Sequence, residues 1–396
     1  MKVRLGDVFT LIRNGASIKQ TDGATGIPIT RIETISNREI DRNRFGYADI
    51  MDTTKYEDYI LQDGDILMSH INSETHLGKA ALYKKQNNEQ IIHGMNLLIL
   101  RTNKSFLFPQ FATYYFETPV FLMQIKRITK KSVNQASFTV SALKEVEIPL
   151  PPLDEQRRIA AVLDKVSDLI IKRRAQLDKL DELVKARFVE MFGSPVSNTL
   201  GWNQTKLSKV TSKIGSGATP RGGKESYHSE GVSLIRSMNI HDGLFLYKDL
   251  AHITDEQARQ LDNVAVEDQD VFINITGASV ARSCIVPHEV LPARVNQHVA
   301  IIRCIQSQMN PIFASNMFIN DEFKKQLLEI GESGGATRQA ITKQQLQDLN
   351  IILPPLEHQI KFATFVNAIN QSKLTIQQSL DKLEILKKAL MQQYFG

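Results

Sequence analysis

The sequence predicts a mixed α+β protein built from two similar globular halves and two long helices. Three observations lead to this class: an internal repeat, two long tails without proline or glycine, and short strand-like runs that alternate with at least two helical runs in each half. A unit of about two hundred residues used twice predicts a pseudo-twofold chain with two similar cores.

The repeat is clearest at its end, where residues 151–193 match residues 354–396 without a gap, at a constant shift of 203 positions. The residues before each copy match at shifts of 202 to 205, and the shift changes only in polar or glycine-rich stretches, where loops accept insertions. We therefore predict a first globular domain over 1–150, a central helix over 151–193, a second domain over 194–353 and a C-terminal helix over 354–396.

Composition limits the class of protein only loosely. The formal net charge of +5 and the pI near 9.0 suit an anionic partner, although many proteins are this basic. Cys284 and Cys304 have no metal-ligand spacing, and we interpret them as small buried hydrophobic residues. No signal-peptide core follows Met1 and no apolar run approaches the ~18 residues of a membrane span, so we expect a soluble, cytoplasmic chain that does not contact membranes.

Both repeated tails are predicted to be long helices. Prolines precede each tail, and neither Pro nor Gly occurs from Gln156 to Phe192, until Gly193 ends the run. About 38 residues at 1.5 Å each would span roughly 57 Å. Heptad spacing gives each helix one apolar seam, which is interrupted by Arg173, Arg187, Lys373 and Lys387. The seam residues are Ile159, Leu163, Val166, Ile170, Leu177, Leu180 and Val184 in the first tail and Phe362, Val366, Ile369, Ile376, Leu380, Leu383 and Leu390 in the second.

A helix with one apolar seam needs a partner, and the two seams can cover each other. Because the chain returns across two globular domains, we expect the helices to pack as an antiparallel coiled coil. The alternative is that each helix packs onto its own domain.

The two halves differ mainly in three pairs of polar loops, whose side chains can bond base edges and phosphates. Residues 17–26 face 219–231, residues 69–79 face 274–284, and residues 129–137 face 331–340. The candidate DNA-contacting residues are Lys19, Gln20, Ser69, His70, Asn72, Lys79, Lys130, Lys131, Asn134, Thr219, Arg221, Lys224, Asn274, Thr276, Arg282, Arg338 and Gln339. For any one of them, plain solvent exposure remains the alternative. The aromatic residues of each half recur at equivalent places, which favours core packing over base stacking.

Catalytic patterns are missing from the sequence. It contains no Walker-type phosphate loop, no GxSxG elbow, no HExxH and no GxGxxG after a strand. We therefore expect no catalytic residue, no metal site and no cofactor in this chain.

Several segments resemble the specificity subunit of Type I restriction-modification systems. The resemblance lies in residues 148–157, which read IPLPPLDEQR, in their second copy at 352–359, in the ending ARFVEMFG at 186–193, and in Val295-Asn296-Gln297-His298. The first half departs from the last motif with His93-Gly94-Met95-Asn96.

The resemblance implies two target recognition domains that each read one half of a split double-stranded DNA sequence, held apart by the paired helices. It also implies two methyltransferase (modification) subunits that use S-adenosylmethionine and methylate adenine, and restriction/translocase subunits that use ATP and magnesium. From the residues alone, a helical scaffold that binds only proteins remains an alternative to a DNA-recognition subunit. A self-contained methyltransferase or nuclease is a third reading.

Overall fold

The computed structural model describes residues 1–21, 26–36, 38–50, 52–132, 135–220, 223–332 and 339–396. By its internal contacts the chain divides into two compact units. The first unit comprises Met1–Arg174 with Ser379–Gly396, and the second comprises Ala175–Gln378. Each unit therefore holds one globular domain together with a part of each long helix.

The first half has twelve strands and five helices among the described residues. The strands are β1 (Lys2–Arg4), β2 (Phe9–Asn14), β3 (Gln20–Thr21), β4 (Ile27–Ile29), β5 (Gly46–Ala48), β6 (Ile66–Ser69), β7 (Ile71–Asn72), β8 (Ala80–Leu82), β9 (Leu97–Thr102), β10 (Lys130–Lys131), β11 (Ala136–Ser137) and β12 (Glu147–Pro149). The helices are α1 (Leu5–Val8), α2 (Pro109–Tyr115), α3 (Pro119–Ile128), α4 (Val140–Lys144) and the long α5 (Leu153–Phe192).

The second half has eleven strands and five helices within the same described ranges. The strands are β13 (Gln204–Lys206), β14 (Thr211–Ser216), β15 (Val232–Ile235), β16 (Ile240–His241), β17 (Leu244–Phe245), β18 (Ala251–Ile253), β19 (Val271–Asn274), β20 (Ser283–Ile285), β21 (Ala293–Val295), β22 (Val299–Cys304) and β23 (Asn350–Ile352). The helices are α6 (Asp255–Gln260), α7 (Pro311–Phe318), α8 (Asp321–Glu332), α9 (Lys343–Asp348) and the long α10 (Leu356–Phe395). The predicted α+β class is confirmed.

The two domains have the same central sheet. Its strand order is β2-β9-β6-β8 in the first domain and β14-β22-β19-β20 in the second, and every neighbouring pair is antiparallel. The first strand in each order, β2 or β14, has a shift in its pairing register at the equivalent place. The shift lies between Phe9 and Leu11 in β2 and between Thr211 and Lys213 in β14. A two-stranded sheet, β1 with β12 or β13 with β23, closes each domain just before its long helix. The repeat in the sequence is thus a repeat of topology.

Gly15 and Gly217 occupy equivalent positions where two backbone segments lie very close together. A Cβ atom on Gly217 would lie 1.6 Å from the carbonyl oxygen of Val295, and one on Gly15 would lie 2.2 Å from that of Gly94. Only glycine lets the two backbones pass this closely. The matched Gly-Ala pairs therefore mark the same backbone crossing in both domains.

A buried ion pair is also repeated in the core. Asp65 is paired bidentately with Arg101 at 2.7 and 2.8 Å, and Asp270 is paired with Arg303 at 2.8 and 2.8 Å. Both aspartates are almost fully buried, and each also accepts a backbone N–H from the turn before its strand. Each pair therefore fixes the start of the central strand that leads into the polar loops.

The matched glutamines at the helix starts have a structural role. Gln156 accepts the Phe108 N–H at 2.9 Å and donates to the carbonyl oxygens of Phe106 and Pro151. Gln359 makes the equivalent bonds to Asn310, Gln308 and Pro354. Both side chains are fully buried. The glutamine therefore ties the first turn of each long helix to the loop before α2 or α7.

The aromatic residues pack inside the domains, as their recurrence predicts. Phe111, Phe116 and Phe121 are fully buried in the first domain, and Phe313, Phe318 and Phe323 are fully buried in the second. Cys284 and Cys304 are buried and unpaired, and burial raises the pKa of each thiol to about 12. The six phenylalanines and the two cysteines are core residues, so none of these six rings can stack on a base in this conformation.

Within each unit the two long helices run antiparallel. In the first unit Ile159 and Leu163 share a core with Phe395, and Arg174 pairs with Glu384 at 2.7 Å. In the second unit the Phe188 and Phe362 rings lie 5.5 Å apart, and Asp181 pairs with Lys373 at 2.5 Å. Residue numbers rise along one helix as they fall along the other.

All the seam residues are buried or half-buried. The first turns of each helix also enter the core of their own domain, as Ile159, Leu163, Phe362 and Val366 do. The two packing modes expected from the sequence as alternatives therefore occur together. Charged residues that interrupt the seams form ion pairs. Arg187 pairs with Glu190, Lys373 with Asp181, and Lys387 with Glu117. No described helix is long and apolar enough to span a bilayer.

Candidate nucleic-acid interface

The polar loops follow equivalent strand ends in the two domains. In the first domain the loop from β6 to β8 is closed by bonds from Ser69 N–H to the Lys79 carbonyl and from Gly78 N–H to the Ser69 carbonyl. In the second domain Asn274 N–H bonds the Arg282 carbonyl, and Ala281 N–H bonds the Asn274 carbonyl.

This hydrogen-bond register corrects the sequence comparison of the loops. The comparison placed Lys79 opposite Cys284, but the backbone places Lys79 opposite Arg282, because the second loop is two residues shorter. Gly78 and Ala281, the residues just before them, both have positive φ, of 72° and 67°. Each domain therefore holds one cation at the same position, a lysine in the first and an arginine in the second.

In the second domain this arginine lines a cleft of about 590 Å³. Three of the predicted residues, Thr276, Arg282 and Gln339, lie in its wall together with Ser237 and His298. Thr276 and Ala340 form a β-bridge, which joins the 274–282 loop to the segment before α9. None of the described residues lining the cleft is acidic, so the wall is suited to an anion or to the polar edge of a base.

A chain of side-chain hydrogen bonds holds one side of the cleft. Thr219 bonds the Gln297 side-chain oxygen, Gln297 Nε2 lies 3.2 Å from His298 Nε2, and His298 Nδ1 contacts the Thr276 hydroxyl. With Gln297 as donor, the imidazole proton lies on Nδ1 and Thr276 accepts it. The Thr276 hydroxyl then keeps its own proton for a bond into the cleft. Three loops are fixed together in this way.

In the first domain the equivalent loop extends into a small sheet. The strands β7, β11 and β10 place Asn72 opposite Ala136, and Ala136 opposite Lys131. Lys130 and Lys131 are exposed, and Lys131 pairs with Glu74 at 2.8 Å. This small sheet therefore carries two lysines, Lys130 and Lys131, and the side-chain amide of Asn72 on neighbouring strands.

The remaining described candidates of the first domain lie in neighbouring segments. Lys19 is exposed beside β3, and Gln20 accepts a bond from Arg31 Nε at 2.6 Å. Lys79 Nζ donates to the Ser36 carbonyl at 3.3 Å. Gln20 and Lys79 therefore border the segment between β4 and β5, whereas Lys19 makes no hydrogen bond or ion pair with any candidate that the structure describes.

Three predicted contact residues are buried, which corrects the prediction for them. Ser69, His70 and Asn274 expose only 2%, 4% and 0% of their surface. Asn274 donates to the Ser237 carbonyl at 2.9 Å, which ties the 274–282 loop to the segment before β16. Side chains buried this deeply do not reach a ligand in this conformation, and Asn274 positions its loop instead.

The side chains of four predicted contact residues lie outside the described part of the chain. Asn134, Arg221 and Arg338 lie outside the described residues, and the side chain of Lys224 is likewise outside them. Conversely, the cleft and its hydrogen-bond chain include three residues that the sequence did not predict as site residues, namely Ser237, Gln297 and His298. The motif at 295–298 was a usable signal for two of them, while Ser237 enters the cleft only through folding.

Among the described residues, no group of three or more His, Cys, Asp or Glu side chains could hold a metal ion. The candidate side chains at both loop clusters include lysine, arginine, amide and hydroxyl groups, which are suited to hydrogen bonding and charge pairing.

Two buried histidines give the first domain an acid-sensitive core. Desolvation lowers the pKa of His70 to about 4 and that of His93 to about 3, against ~6.5 in the unfolded chain. Between these values the unfolded state binds more protons at these two residues, so the histidines lower the free energy of unfolding as pH drops below about 6.5 and contribute no pH dependence well above it.

We expect each histidine to lower the free energy of unfolding by about 1.4 kcal/mol for every pH unit between ~6.5 and its own folded-state pKa. Urea unfolding at pH 7.5 and pH 5 measures this, and the variant His93→Gln should show a smaller loss. The exposed His228→Gln is the matched control and should behave like the wild type. If His93→Gln and the wild type lost the same free energy of unfolding between pH 7.5 and pH 5, His93 would not be a source of the acid sensitivity.

Comparison with known proteins agrees with this architecture. A family model described as the Type I restriction modification DNA specificity domain matches residues 1–181 and again 200–385. A type I restriction enzyme specificity subunit of Methanocaldococcus jannaschii, MjaX, is 31% identical over 98% of this chain and 90% of its own length. The EcoKI specificity subunit of Escherichia coli K12 is 24% identical over 47% of this chain and 41% of its own length.

Two solved structures share the fold. The S subunit of a Type I restriction-modification system from M. genitalium superposes with a TM-score of 0.60 at 13% identity, covering 100% of this chain and 96% of that one. A chain from a study of complex assembly in the type I system gives a TM-score of 0.54 at 19% identity, covering 100% and 97%. The chain belongs to the Type I restriction-modification DNA specificity family. It is a specificity subunit, and its two halves are the two target recognition domains.

Proposed function

We propose that each target recognition domain binds one part of a bipartite double-stranded DNA target, and that the chain has no catalytic activity of its own. The observation that carries this proposal is that two domains of one topology present different polar side chains at the same strand ends. Lys79 and Arg282 are the clearest case. A common scaffold with unlike loops is suited to reading two different sequences.

The methyltransferase and restriction/translocase chemistry belongs, in this proposal, to partner subunits. S-adenosylmethionine, ATP and magnesium would be bound by those partners, and the complex would act on DNA in the cytoplasm. Calorimetric titration of the isolated chain with S-adenosylmethionine tests the division of labour. No heat of binding is expected, and stoichiometric binding would show that this chain holds the cofactor.

A DNA-recognition subunit and a purely protein-binding scaffold differ in a direct assay. The chain, assembled with its modification subunits, is titrated against a duplex carrying the target and a duplex with both half-sites scrambled. We expect a specific affinity at least about 10³-fold tighter at physiological salt. Equal affinities with the same salt dependence would favour the scaffold, because charge alone does not distinguish sequences.

The exposed apolar residues of the long helices suggest where the modification subunits dock. Ile171 and Leu386 are exposed in the first unit, and Leu374 and Leu183 are exposed in the second. The repeat shift of 203 positions relates Ile171 to Leu374 and Leu183 to Leu386, so each unit carries the same pair. Two equivalent apolar surfaces are suited to two copies of one partner.

Introducing a charge within or beside these surfaces should weaken assembly. Leu169 and Leu183 are 44% and 46% exposed, so Leu169→Asp and Leu183→Asp should leave the isolated chain folded while reducing recovery of the methyltransferase complex on size-exclusion chromatography. Leu169→Met is the matched control because it keeps the apolar character. Full assembly of both Asp variants would place the docking surface elsewhere.

A further inference from the structure

Arg282 is a half-buried cation whose side chain is paired with none of the described residues. Its backbone is fixed on both sides, because the Arg282 carbonyl accepts the Asn274 N–H and the Arg282 N–H donates to the Ser279 carbonyl. No hydrogen bond or ion pair reaches its guanidinium from any part of the chain that the structure describes. Five N–H donors in a planar fork therefore face a cleft whose described lining contains no carboxylate.

Gln339 offers the opposite group in the same cleft. Its Nε2 donates to Glu332 Oε1 at 2.7 Å. A carboxylate can only accept, so the amide must turn its nitrogen to Glu332 and its oxygen away. The Gln339 Oε1 atom has no bond to any other described residue and remains available as an acceptor.

The cleft thus presents a donor fork from Arg282, a second donor from the Thr276 hydroxyl, and an acceptor from Gln339. In the major groove guanine shows two adjacent acceptors, N7 and O6, while its partner cytosine shows the N4 amino donor. Adenine places a donor beside its N7 acceptor, and thymine shows one acceptor beside a methyl group. Two adjacent acceptors that match the fork occur only on guanine.

We infer that the cleft of the second target recognition domain reads a G·C base pair, with Arg282 on the N7 and O6 atoms of guanine and Gln339 accepting from cytosine N4. This inference rests on the proposed function and names the base that one domain selects. Arg282 is then a specificity-determining residue of the second half-site.

The first domain supplies a matched control. Lys79 occupies the equivalent backbone position, but its Nζ already donates to the Ser36 carbonyl. A lysine is a point charge without the planar fork. Because Lys79 lies in the first domain, Lys79→Ala should leave the guanine position of the second half-site untouched.

The test uses the chain assembled with its modification subunits. Methylation mapping first gives the target, and competition binding then compares duplexes that carry guanine, 7-deazaguanine or inosine at each G·C position. 7-Deazaguanine lacks the N7 acceptor in the major groove, whereas inosine lacks only the N2 amino group in the minor groove. At one position of one half-site, we expect 7-deazaguanine to weaken wild-type binding, and inosine to have no effect.

Arg282→Ala should lower the affinity for the target by roughly 5- to 150-fold, the range of one bidentate base contact. It should also abolish the effect of 7-deazaguanine, which a merely structural role would not do. Arg282→Gln provides a second variant if the first proves unstable, and a melting temperature equal to that of the wild type is expected for both.

Three results would overturn the inference. An equal loss by Arg282→Ala on target and scrambled DNA would make Arg282 a phosphate contact. A persisting 7-deazaguanine effect in both Arg282 variants would assign guanine to another residue. Absence of sequence-selective binding by the wild-type complex would remove the proposed function itself, which separates that failure from the first two.

Discussion

Exchanging residues 1–145 for the equivalent part of another family member is expected to replace one half of the DNA target and to leave the other half unchanged. The expectation follows from the repeat, because the exchanged residues carry the polar loops of the first domain only. The exchange ends just before β12, so the strand that pairs with β1 and the helix α5 are retained. Sequencing of methylated adenines in cells that carry the complete system gives the result.

The exchanged domain must still fit the retained helices. Ile159, Leu163 and Phe395 share its core, so the donor should have side chains of similar volume opposite them. The reciprocal exchange of the second domain is the control, and it should change only the other half-site. If both half-sites changed after one exchange, or neither did, the domains would not read DNA independently.

Inserting one heptad into each long helix is expected to lengthen the spacer between the half-sites. Suitable positions follow Leu177 and Leu380, which are equivalent in the repeat. They lie between the Arg174–Glu384 pair of the first unit and the Asp181–Lys373 pair of the second. Seven residues preserve the apolar seam and add about 10 Å, or roughly three base pairs at ~3.4 Å per step.

Three base pairs also rotate the duplex by about 100°, so the total activity should fall. The quantity to measure is therefore the spacer length among the sites that are still methylated. A four-residue insertion at the same positions is the control, because it breaks the heptad and should abolish methylation instead. Surviving sites that keep the original spacer after the heptad insertion would show that the helices do not set it.

The sequence predicts the repeated parts of the molecule well, because each has a local physical cause. Heptad spacing and the absence of Pro and Gly predict helices that the structure extends to 40 residues each. The recurring aromatic residues predict the part of each domain's core in which they are buried. In the sequence, Gln156 and Gln359 are recognisable only as equivalent residues of the repeat. Their hydrogen bonds to the backbone before α2 and α7 are seen only in the folded chain.

The interface is predicted less completely, because residue type does not give direction. Ser69, His70 and Asn274 are polar residues at or just after strand ends, but the fold buries all three, and every residue of β6 and β19 is buried whichever face of the sheet it lies on. The equivalence of Lys79 and Arg282 depends on where a two-residue difference in loop length falls, and the backbone bonds locate it. Ser237 joins the cleft through a contact between segments that are far apart in the sequence.

Two target recognition domains on one chain are proposed to read two separate DNA half-sites, and this independence can be measured. Its most direct test is to map methylated adenines in cells with the complete system, and again after Arg282→Ala and Lys79→Ala. A single bipartite motif is expected, with Arg282→Ala relaxing one position in one half-site and any effect of Lys79→Ala confined to the other. A motif without two parts, or changes by both variants in the same half-site, would contradict the account.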